Sequence, residues 1–149
     1  MILQIEKGKT NKILRAKSGP VPEVTDEVRN LIKEMKETLA ASENGIGLAA
    51  PQVGKNLRLF VISEEMAKAG QAVFINPVIT QISRPEKVLE EGCLSLPETW
   101  RELARPEKVT VKAMDENGDK FKLRAKGLLA RLISHEVDHL DGVLFVDHL

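Results

Sequence analysis

"LISHEVDHLDG", residues 132–142, decides how the rest of the chain is read. It holds two of the chain's three histidines, His135 and His139, with Glu136 beside the first. On an α-helix, residues i and i+4 share a face one turn apart, so both imidazoles can reach a single ion. Leu129, Ile133, Val137 and Leu140 fall on a different stripe, which is expected to pack on the core. The helix thus has two jobs: one side packs and the other presents imidazoles. A carboxylate next to the first ligand can take a proton from metal-bound water without coordinating. H-E-x-x-H on a predicted helix is a fairly specific pattern for that arrangement. The bland alternative is a surface helix with two incidental histidines. Gly142 is well placed to stop the helix.

Two ligands do not hold a catalytic metal; a third is needed, with one position left open. An H-E-x-x-H-x-x-G-x-x-H continuation fails, because Phe145 stands where the next histidine is due and His148 lies too far on. A downstream glutamate also fails, since no Glu follows Glu136. Cys93, the only cysteine, remains as the strong candidate, within "EEGCLSLP" at 90–97.

Around these motifs the pattern is α+β. "TDEVRNLIKEMKETLAASE" (25–43) has apolar residues at helical spacing, with Thr25 as N-cap and Asp26 and Glu27 at the positive end. The first 24 residues read as an irregular arm broken by Gly19, Pro20 and Pro22. "ENGIGLAAPQVG" (43–54) reads as a glycine-punctuated loop. "LRLFVIS" (57–63), "AVFINPVI" (72–79) and "KVLEEGCLSLP" (87–97) read as strands. "EKVTVKAM" (107–114) and "KFKLRA" (120–125) alternate around Asn117-Gly118, a hairpin signal. The expectation is mostly antiparallel sheets around a central metal-binding helix, in one domain over 1–149.

Lys plus Arg and Asp plus Glu number 22 each, so no global field draws the chain to nucleic acid or anionic lipid. The lone thiol excludes an internal disulfide and suits a reducing compartment. No stretch reads as a signal peptide or a membrane span, so a soluble, cytoplasmic protein is expected.

"GIGLAAPQ" (45–52), "EGCLS" (91–95) and "HEVDH" (135–139) together resemble the three signature motifs of the peptide deformylase family, in the right order. The resemblance runs from the N-terminal arm to the final "GVLFVDHL". It implies a metal-dependent hydrolase of protein biosynthesis, which removes the formyl group from N-formylmethionyl nascent peptides and releases formate. Cys93, His135 and His139 would hold one divalent ion, with water in the fourth position. The ion is ferrous in many members and zinc in others, with nickel or cobalt able to substitute. Glu136 would shuttle the proton, while the Leu94 N–H and the Gln52 side-chain amide would stabilise the oxyanion.

Gly45, Ile46, Gly47, Glu91, Leu128 and Arg131 are expected to border the substrate, which pairs near Ile46 as an added strand. Glu91 and Arg105 also align with positions that support the metal pocket, a plain salt bridge being the alternative. Arg131 is expected to lay its stem along the pocket mouth and send its guanidinium to solvent. Asp138 reads either as an acceptor behind a ligand or as an exposed acid, and Trp100 either as cleft lining or as core. Ser134 departs from the glutamine frequent in the family before "HE". The chain also stops at Leu149, where many relatives carry a further C-terminal helix. That helix serves ribosome docking in some of them, so direct docking is not expected here.

Two rivals stay open on sequence grounds. One is a metallopeptidase using the same helix, and the other is a binding module with a structural zinc site. Structural sites are normally closed by four protein ligands.

Overall fold

The apolar run at 59–62 is buried along its whole length, which requires cover on both faces of its strand. The computed structural model describes residues 1–149. β1 (Gly47–Ala49), β2 (Leu59–Ile62), β3 (Val73–Ile82), β6 (Lys108–Met114) and β7 (Lys120–Lys126) form one antiparallel sheet in that spatial order. Side chains alternate along a strand. Phe60 and Ile62 therefore join Phe74, Val111 and Leu123 on one face, against Ile133 and Leu140 of α3 (Gly127–Leu140). Leu59, Val61 and Ile75 turn to the other face, against Ile32, Met35 and Leu39 of α2 (Asp26–Ala41).

β4 (Glu86–Cys93) and β5 (Leu96–Pro106) make a separate two-stranded hairpin. It packs with Leu144 and Phe145 through Leu96 and Leu103, and it meets α3. The α3 helix is consequently buried at nine of its fourteen residues, His135, Glu136 and His139 included. The expected division into a packed side and a presenting side is thus corrected: the imidazole face is also enclosed.

The helix ends follow the sequence. Thr25 Oγ1 accepts from Val28 N–H at 3.2 Å. At the end of α3, Gly142 N–H donates to His139 O and Val143 N–H to Asp138 O, with Gly142 at φ 75°. A β-carbon there would collide with Arg15 O, so only glycine fits. The turn after β6 closes on Asp115, whose Oδ1 accepts from Asn117 and Asp119 N–H. On the β6–β7 ladder, exposed Lys108 stands opposite exposed Lys126 and Lys112 opposite Lys122, while the exposed Arg124 stands opposite the buried Thr110.

Three expectations change. The glycine loop contains β1, whose Gly47, Leu48 and Ala49 pair with Ile62, Val61 and Phe60. The strand expected through 87–97 breaks at Leu94-Ser95, and the charged stretch after it forms β5. The N-terminal arm contains one helical turn, α1 (Lys12–Arg15), capped by Asn11 Oδ1. No helix is long and apolar enough to cross a membrane.

Candidate metal centre

α3 and the tip of the β4–β5 hairpin bring three donor atoms together. Cys93 Sγ lies 3.2 Å from His139 Nε2, which lies 3.2 Å from His135 Nε2. One ligand atom from each of the three residues falls within a 4.8 Å cluster. A thiolate and two imidazoles facing one point fit a borderline divalent ion, and three protein ligands leave a coordination position open.

The second nitrogen of His135 is fixed from behind. Its Nδ1–H donates to Glu91 Oε2 at 2.6 Å, which turns Nε2 towards Cys93 and His139. Glu91 is in turn held by Arg105, whose Nε and Nη2 donate to its two oxygens at 3.0 and 2.8 Å. Burial would raise the Glu91 carboxyl, but His135 and Arg105 overrule it and bring it down to about 2. Burial likewise disfavours a charged His135, yet Cys93 and Glu91 raise it well above the usual imidazole range. Burial, then the neighbouring His135 and Arg105, hold His139 well below that range, which favours the neutral, ligating form.

Glu136 faces the backbone of β1. A β-carbon on Gly47 would sit 2.6 Å from Glu136 Oε2 and 2.7 Å from Leu132 Cδ1, so the strand approaches this closely only without a side chain. Burial pushes the Glu136 carboxyl up to about 7 against the pull of His135. Its Oε1 is buried and has no hydrogen-bond partner within the chain. A carboxyl poised near neutrality can both accept and return a proton.

Gln52 stands on the short turn after β1. Its Oε1 accepts from Ala49 N–H at 2.9 Å, which aims Nε2 at Ser95 Oγ, 3.1 Å away, and at Cys93 Sγ, 3.5 Å away. Ser95 is fully buried, and its role in orienting Gln52 has no sequence signal beyond its place two residues after Cys93. Leu94 N–H, at the turn between Cys93 and Ser95, makes no hydrogen bond within the chain.

Other expectations come out differently. Glu91 gives its oxygens to Arg105 and His135, behind the ligating face of His135. Arg131 is buried with its guanidinium turned inward, where it donates to the main-chain carbonyls of Lys87, Leu89 and Leu103 on β4 and β5. The expectation of a solvent-directed head at a pocket mouth is overturned. Asp138 binds Arg105 and His148, each at 2.9 Å, and neither ligand histidine. Trp100 is exposed and lies over Gly92, where a β-carbon would come within 2.7 Å of its ring. Leu128 and Ile46 are exposed, and β1 forms an outer strand of the sheet.

Residues 2–149 match the family described as Polypeptide deformylase. Peptide deformylase 1 of Clostridium perfringens is 49% identical over 138 residues, which cover 93% of this chain and 92% of that protein. The crystal structure of peptide deformylase from Thermotoga maritima aligns with a TM-score of 0.92 at 36% identity, covering 100% of this chain and 98% of that one. A peptide deformylase from Synechococcus elongatus, solved in complex with actinonin, aligns with a TM-score of 0.90 at 42% identity, covering 99% of this chain and 78% of that one. With its Cys-His-His triad on the helix and the hairpin tip, the chain belongs to the polypeptide deformylase family, the metal-dependent hydrolases that take the N-formyl group off nascent peptides.

Proposed function

We propose that Cys93, His135 and His139 hold one divalent ion, natively Fe²⁺, and that residues 1–149 act on formylmethionyl peptides as one catalytic domain in the cytoplasm. Zn²⁺, Ni²⁺ and Co²⁺ suit the same donors. When bound, the ion acts as a Lewis acid and makes water a nucleophile near neutral pH. Glu136 accepts the proton from the attacking water as oxygen adds to the formyl carbon. Gln52 Nε2 and Leu94 N–H donate to the formyl oxygen as negative charge develops on it. Glu136 returns the proton to the leaving nitrogen, the C–N bond breaks, and formate and a free N-terminus result. Gly45, Ile46 and Gly47 receive the peptide as a strand added at the edge of β1, and Ile46 and Leu128 contact the methionine side chain.

The observation that carries this reading is the Glu136 carboxyl. It is buried, unpartnered at Oε1 and raised to about 7, on the residue next to His135. A structural zinc module has no use for such a group. Formyl-Met-Ala-Ser incubated with metal-loaded protein should yield formate and a new amine in equal amounts. Cleavage of an unblocked internal peptide with no formate released would overturn the proposal.

A further inference from the structure

Arg131 lies one turn before His135 on α3, and its side chain is 7% exposed. Its guanidinium crosses to the hairpin. Nη1 donates to Lys87 O at 3.1 Å, and Nη2 donates to Leu89 O at 2.9 Å and also to Leu103 O. Lys87 and Leu89 belong to β4 and Leu103 to β5, where Leu89 and Leu103 are direct partners in the ladder. One side chain therefore grips both strands of the hairpin. Its Nε approaches Glu91 Oε1 at 3.3 Å, on the carboxylate that fixes His135.

Cys93 ends β4, four residues beyond Leu89 and two beyond Glu91. The hairpin shares no strand pairing with the five-stranded sheet. Apart from the main-chain bond from Gly8 N–H to Ser95 O at its tip, side-chain contacts set the distance from Cys93 to the histidines. The apolar ones, Leu96 and Leu103 on Leu144 and Phe145, are non-directional and fix no register by themselves. A planar guanidinium with several donors at set angles is directional.

We propose that Arg131 is a positioning residue of the metal centre: by holding three main-chain carbonyls of β4 and β5 against α3, it sets the place of Cys93 relative to His135 and His139. It touches neither substrate nor ion and acts through the backbone. The inference rests on Cys93 being a ligand.

Co²⁺ is the probe, because a thiolate ligand gives it a charge-transfer absorption that imidazoles do not. Arg131→Met should weaken or shift that band and lower Co²⁺ affinity about 10–100-fold, the usual effect of losing an outer partner of a metal ligand. With formyl-Met-Ala-Ser, kcat should fall and KM should hold. Arg101→Met is the control, since Arg101 is exposed on the same hairpin and donates only to Trp100 O, its neighbour. It should leave band, affinity and kcat unchanged. Arg131→Lys keeps the charge but loses the fork, so it should stay nearer to Arg131→Met than to wild type. It also serves if the Met variant does not fold.

A folded Arg131 variant with wild-type band and Co²⁺ affinity would reduce the residue to a stabilising role and overturn the proposal. So would a rise in KM with altered preference between formyl-Met and formyl-Glu peptides, which would place Arg131 at the substrate. Wild-type protein that binds Co²⁺ without the thiolate band would refute Cys93 as a ligand, and this proposal with it.

Discussion

The two long helices are built on opposite terms. α2 carries its own instructions: Thr25 caps it, Asp26 and Glu27 complement its positive end, and its buried residues Ile32, Met35, Thr38 and Leu39 form one stripe. α3 has no side-chain cap at Lys126 and no acid in its first turn, and it is buried on most sides. Short helices without such local support draw their stability from tertiary packing. The helix that bears the chemistry is therefore the one that depends most on its neighbours. Substitutions on α3 should disturb site and fold together, whereas those on α2 should touch stability alone.

The strongest way to separate the two roles of α3 is a change that removes chemistry without volume. Glu136→Gln should keep the metal and the fold but lower turnover about 10²–10⁴-fold, the usual contribution of a general acid–base group. Metal content after dialysis and steady-state rates check this, and a near-normal rate would make Glu136 structural. Next comes Ile133→Ala, which removes a fully buried side chain facing the sheet and should destabilise the fold by about 2–5 kcal/mol in denaturant titration. Because α3 carries the ligands, metal affinity should fall with it; an unchanged affinity would break the coupling claimed for this helix. Thr25→Ala on α2 should cost about 1 kcal/mol through loss of the cap, with kcat/KM unchanged. Last, Arg29→Gln breaks the pair with the fully exposed Asp26 and should leave the melting temperature where it is. A measurable drop would mean that α2 leans on surface charge more than its packing suggests.

The facing pair of histidines, the acid beside the first and both helices were legible because each rests on spacing within a short window: His135 to His139, Thr25 to Val28, Gly142 after Leu140. Cys93, far from them along the chain, was reached by elimination and by the resemblance. Arg131 was not, since its rotamer is chosen by carbonyls 28 to 44 residues away along the chain. β5 escaped for a different reason. Most of its side chains are exposed, so no apolar alternation marks it as a strand. β1 was hidden because its glycine reads as a loop signal, although Gly47 is there to let the strand lie on Glu136. Arg105 and Asp138 form a pair 33 residues apart, which no local pattern announces.

The cationic ladder of β6 and β7 has its own bearing on how the molecule behaves among copies of itself. β1 and β7 are the two outer strands of the sheet. If a peptide adds along β1 as proposed, the opposite border must be kept from recruiting anything. The chain's net charge of zero offers no general repulsion. Alternate residues of β7, Lys120, Lys122, Arg124 and Lys126, are all basic and exposed, and Lys68 Nζ already occupies the Arg124 carbonyl. A second copy laid against this border would bring its own row of cations beside the first, which strand pairing does not tolerate. Growth of the sheet is thus blocked on one side by charge, and the protection weakens as salt screens it.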